Sequence, residues 1–155
     1  MVSWLTWIFT KLEENIHTAA GMTARDYVNK ALRYYGILAT ADILSSRDEG
    51  IYHRGPIGVL DLRDRLDRLS GDIVDFSHPS FGKPQDPTPI YRSSLIAMNL
   101  LEEKRQPISP GHFQSILLPT KSGKELATSF ESHWSRCVSP RDLTSRTKYK
   151  ISLLK

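Results

Sequence analysis

Four prolines within residues 79–89 (Pro79, Pro84, Pro87 and Pro89) constrain this chain more than any other feature. Proline lacks the amide hydrogen, and its ring clashes with the preceding turn, so no regular helix crosses the stretch. Periodic patterns on its two sides therefore belong to separate elements. Ile73, Val74, Phe76 and Phe81 give residues 71–90 apolar groups to bury, which predicts an ordered loop over the core. Loops of this length in a compact domain are uncommon and often functional.

Before the prolines, Trp4, Ile8, Leu12 and Ile16 repeat at helical spacing. This stripe suits either a core helix or a docking helix for a partner, with Trp4, Trp7, Ile8 and Leu12 as the docking residues. Gly21-Met22 breaks it. Thr23 then reads as an N-cap, with Asp26 three residues on, and a helix follows through Tyr27, Ala31 and Tyr35 toward Leu44. Ser45 to Gly50 reads as a turn. Val59, Leu62, Leu66 and Leu69 mark a further helix.

After the prolines, a helix is expected from Tyr91 or Arg92, ending in Glu102-Glu103-Lys104-Arg105 before Pro107. Pro110-Gly111 signals a turn, and Phe113 to Leu118 is a strand candidate. A last helix from about Lys121 carries Leu126, Phe130 and Trp134 on one face, with Ser122 and Glu125 spaced as a capping box. The fold class is therefore mainly α with a small β element.

Charge narrows the classes of function. Residues 1–91 hold 10 Lys and Arg against 12 Asp and Glu; residues 92–155 hold 11 against 5. The basic excess is densest over 136–155, with Arg136, Arg141, Arg146, Lys148, Lys150 and Lys155. Such a segment suits a phosphate backbone or an acidic protein surface. Alternation at Tyr149, Ile151 and Leu153 also allows a strand that packs on the core. The single Cys excludes an intrachain disulfide framework, and no cofactor or metal motif is present. The apolar start lacks a basic leader region and is too short to span a bilayer, so a cytoplasmic protein without a membrane span is expected. Homo- or hetero-oligomers are compatible with this composition.

Three phrases resemble winged-helix DNA-binding domains. Gly55-Pro56-Ile57-Gly58-Val59-Leu60-Asp61-Leu62-Arg63-Asp64-Arg65-Leu66 is similar to their first strand and second helix. Leu95 to Arg105 is similar to the recognition helix and its exit. Leu118-Pro119-Thr120-Lys121-Ser122-Gly123-Lys124-Glu125-Leu126 resembles the end of the wing and the start of the closing helix. The resemblance implies a winged-helix-like core over 21–135 with an insertion at 71–91. Outside it, the apolar stripe marks an N-terminal docking helix over 1–20 and the charge excess a basic segment over 136–155. The function implied is non-catalytic: binding nucleic acid, duplex DNA above all, or bridging nucleic acid and protein. Arg92, Ser93, Ser94 and Asn99 would face DNA from the helix, His112 and Gln114 from the wing, and Lys121 and Lys124 beside it. Arg136, Arg141, Arg146, Lys148 and Lys150 would follow phosphates. The alternative is a protein-interaction subunit of a larger assembly.

Two fragments resemble enzymes. Arg47 followed by His53 is similar to the Arg/His motif of HEPN ribonucleases, although Gly50 interrupts a helix that would hold the pair. Asp86 with Glu102 and Lys104 is similar to the acidic and E-x-K set of restriction-type nucleases. That set needs a strand, where alternate residues share a face, whereas a helix end is expected here.

Overall fold

The computed structural model describes residues 2–16, 24–48, 59–78, 81, 86–109, 111–134 and 139–154. The protein is mainly helical with two small antiparallel sheets. Helices α1 (Val2–Ile16), α2 (Ala24–Asp48) and α3 (Val59–Asp67) precede strand β1 (Ile73–Asp75). Helix α4 (Thr88–Ala97), strands β2 (Leu101–Ser109) and β3 (His112–Pro119), and helix α5 (Lys121–Ser132) follow. Helix α6 (Pro140–Ser145), strand β4 (Lys148–Lys150) and a 3-10 turn (Ile151–Leu153) complete the order.

The chain divides into two compact units, residues 1–31 with 88–132 and residues 32–87 with 133–155. The boundaries read from the sequence cut across them. α3 belongs to the second unit and α4 to the first, so the phrases at 55–66 and 95–105 fall in different units.

In the first unit, α1 lies against α5 and β3. Trp7, Ile8 and Leu12 are 0%, 1% and 0% exposed, and Leu5 and Phe9 are buried with them. The stripe thus forms core, and these three side chains are not offered to a partner; Trp4 is only half-buried. The Trp7 ring meets Phe130 of α5 edge-on at 6.1 Å, and its indole N–H donates to Glu131 Oε2 at 3.4 Å. The first turns of α2 are tied to the hairpin by Tyr27, whose hydroxyl donates to the Leu117 carbonyl at 2.7 Å.

Strands β2 and β3 form a long hairpin, in register from Leu101 opposite Pro119 to Pro107 opposite Phe113, with a register shift before Ser109 opposite His112. The turn uses Gly111 at φ 80°, a left-handed conformation that suits glycine. Phe113 to Leu118 is a strand, as its pattern predicts. Glu102 to Arg105 is also a strand rather than a helix end. The cause lies at residues 97–100. Asn99 sits at φ 54°, its N–H donates to the Ile96 carbonyl at 2.9 Å, and the Leu100 N–H donates to the Leu95 carbonyl at 2.9 Å. This is a Schellman ending with Asn in the left-handed position, and it turns the chain out of α4 into β2.

The second unit buries Tyr34, Tyr35, Leu62, Leu66, Val74, Phe76 and Phe81. Within the region read as a loop, β1 pairs with β4, Val74 opposite Tyr149. Backbone bonds extend the ladder at both ends, from Phe76 to Thr147 and from Ile151 to Asp72, each 2.7 Å. The Phe76 ring packs edge-on against Phe81 and Tyr149 at 6.3 and 6.1 Å. Helix α2 continues to Asp48, beyond the turn expected at Ser45. Thr23, residues 55–57 and the segment around Gly50 lie outside the described residues.

Candidate nucleic-acid interface

A single joint sets α4, the hairpin and α5 relative to one another. Thr120 caps α5: its hydroxyl accepts from the Gly123 N–H at 3.1 Å, and its carbonyl accepts the first helical bond from Lys124 at 2.9 Å. The same hydroxyl donates to the Asn99 carbonyl at 2.5 Å, and the Thr120 N–H donates to the Leu100 carbonyl at 3.1 Å. A Cβ on Gly123 would lie 2.1 Å from the Leu100 carbonyl oxygen, so only glycine lets α5 approach this closely. The T-x-x-G spacing thus has a geometric cause. The cap is Thr120 with Gly123, not the expected Ser122 with Glu125, because Ser122 already lies within the first turn.

On α4 only Leu95 is buried. Arg92, Ser93 and Ser94 are exposed. Arg92 forms an ion pair with Glu103 on β2, whose carboxyl is held below the usual range by the Ser115 side chain and then by Arg92. Asn99 lies in the ending turn rather than on the helix, with its carbonyl already engaged by Thr120. Lys121 and Lys124 are exposed at the start of α5, and Lys124 pairs with Glu13 of α1 at 2.7 Å. His112 and Gln114 lie on β3, with side chains outside the described residues. The sequence reading missed both counter-ions, since Glu13 and Glu103 reach these cations only through the fold.

The unit carrying these residues is close to neutral, with eight Lys and Arg against seven Asp and Glu; the second unit has thirteen against ten. The excess of the second comes from its C-terminal part. There Arg141 on α6, Arg146 after it, and Lys148 and Lys150 on β4 are exposed. Arg136 lies outside the described residues. Tyr149 anchors this part from inside: its hydroxyl donates to the Asp142 carbonyl at 3.0 Å and accepts from the Arg146 N–H at 3.2 Å. Burial raises its pKa.

Glu102 and Lys104 do lie on a strand, on one face of β2, and pair with each other at 2.9 Å. The helix end expected there is corrected by the Schellman turn. Asp86 belongs to the other unit, and no group of three His, Cys, Asp or Glu side chains could hold a metal ion among the described residues. Arg47 falls in the last turn of α2, and His53 lies outside the described residues. No described helix is long and apolar enough to cross a membrane. The chain matches no family model, no curated protein and no solved structure.

Proposed function

We propose that the chain is a non-catalytic nucleic-acid-binding protein, or one that bridges nucleic acid and protein, with α4 and the β2–β3 hairpin as a winged-helix-like reading surface. The supporting observation is the order α4, hairpin, α5 closed by the Thr120–Gly123 joint, with Arg92, Ser93 and Ser94 exposed on α4. Hydroxyls and a guanidinium on one short helix can meet phosphates and base edges. The basic part of the second unit, including Arg141, Arg146, Lys148 and Lys150, adds electrostatic attraction.

A second reading has its own observation. Ile90 on α4 and Phe113 on the hairpin are 59% and 63% exposed in a nearly neutral unit. Apolar groups held outward favour a protein partner and an interaction subunit without nucleic-acid contact.

The test is a fluorescence-anisotropy titration of a labelled duplex at low salt. The full chain should bind, and Ser93→Glu/Ser94→Glu should weaken binding at least about tenfold through phosphate repulsion, with an unchanged melting temperature. Absence of binding, or binding indifferent to the two glutamates, overturns the reading in favour of the interaction subunit.

A further inference from the structure

Resting on the nucleic-acid reading, we propose that β4 and the α6 segment before it form a phosphate-tracking edge that grips a nucleic-acid backbone without reading its sequence.

The first ground is where the charge is mounted. Lys148 and Lys150 alternate with Tyr149, which is 3% exposed, so the pleat aims both lysines outward while the tyrosine holds the strand down. Two residues of strand span about 6.6 Å. At that separation the two ammonium groups can meet separate phosphates of a polyanion. Arg141 in the first turn of α6 and Arg146 just after it, both exposed, extend the same charge, and guanidinium binds phosphate through two parallel bonds. Asp142 is the lone acid between residues 139 and 154, and it is engaged with Ser139 at the start of α6.

A second ground is that this charge is not a loose tail. β4 is paired along its length with β1, and the ladder continues on both sides. Cations on a fixed strand lose less side-chain and backbone freedom on binding than cations on a disordered segment. In the other unit, Arg92 and Lys124 face Glu103 and Glu13. Besides Asp142, the Asp75 carboxylate on β1 faces this edge, opposite Lys148, with Oδ2 3.3 Å from Nζ. Lys148 is nevertheless 67% exposed at its side chain, so an incoming phosphate competes with Asp75 for it. Phosphate contacts of this type position a backbone and carry no sequence information.

The experiment measures affinity of the full chain for two duplexes of unrelated sequence as salt rises. Each phosphate contact contributes roughly −0.9 to the slope of log affinity against log salt. Lys148→Gln/Lys150→Gln should make the slope shallower by about 1.8 on both duplexes, and Lys148→Arg/Lys150→Arg should preserve it. Asp75→Asn should tighten binding about two- to fivefold, because it removes a competitor worth a surface ion pair. If the wild type binds but the glutamine variant keeps its slope, this edge is excluded while the nucleic-acid reading stands on the first unit. If the wild type binds neither duplex at low salt, both fail. Lysine-dependent binding of polyglutamate or of anionic vesicles as tight as that of DNA overturns the assignment to nucleic acid.

Discussion

The Thr120 hydroxyl donates to the carbonyl of Asn99 at 2.5 Å while accepting from the Gly123 N–H at 3.1 Å. One side chain thereby closes two helix ends: the left-handed exit of α4 and the entrance of α5. The hairpin leaves and returns through this point, since Leu101 and Pro119 are opposite each other at its base.

Gly123→Ala tests the closeness of that approach. The added Cβ would meet the backbone oxygen of Leu100, not a side chain that can swing aside. We expect a loss of about 2 kcal/mol or more, at the severe side of overpacking costs, read as a lower midpoint in urea unfolding. A midpoint equal to wild type would show that α5 shifts freely at this joint.

Thr120→Val keeps the shape and removes the hydroxyl. Loss of an N-cap costs roughly 1 kcal/mol, and the Asn99 carbonyl loses its donor as well. The measurement is thermal melting, and Thr120→Ser should restore most of the loss. A valine variant that melts like the wild type would contradict a stabilising role for the Thr120 hydroxyl.

Tyr27 links stability to alkaline pH. Burial, with a contribution from Glu13, raises its pKa above the ordinary phenol value. The folded state therefore keeps the proton to higher pH than the unfolded chain does. Its contribution is complete below about pH 10, the unfolded value, and is lost as pH rises beyond it. Tyr27→Phe should cost about 1 kcal/mol at neutral pH, where the bond to the buried Leu117 carbonyl disappears. The variant should also show a flatter stability profile above about pH 10. Parallel alkaline profiles for the two proteins would contradict this assignment.

Removing residues 136–155 should destabilise the second unit. Tyr149 and Leu154 are buried, and β1 would lose its partner strand. A fall in melting temperature on the order of 5 °C or more is expected. Tyr149→Ala in the full chain should show a similar loss. A truncated protein that melts like the wild type would return this segment to the status of a solvated tail.

Much of the helical content is visible in the sequence because it depends on local periodicity. The stripes at Ile8 and Leu12 and at Leu62 and Leu66 bury the faces their spacing marks. The turn at Gly111 and the strand after it follow from the same local rules. What periodicity leaves open is the use of a face. The N-terminal stripe suits a partner as well as a core, and only the placement of α5 against Trp7 decides it.

The tertiary structure alone decided three further points. Glu102 to Arg105 is a strand because Asn99 adopts a left-handed turn and β3 supplies the opposing hydrogen bonds. A charged run satisfies helix and exposed strand equally, so no local pattern separates them. Arg92 and Lys124 acquire Glu103 and Glu13 as partners across sequence gaps that no spacing rule joins. Within the basic segment, Lys148 to Lys150 form a strand because β1, more than seventy residues earlier, lies beside them. Local rules set which segments coil and where they break; long-range pairing set which charges face solvent and which are already matched.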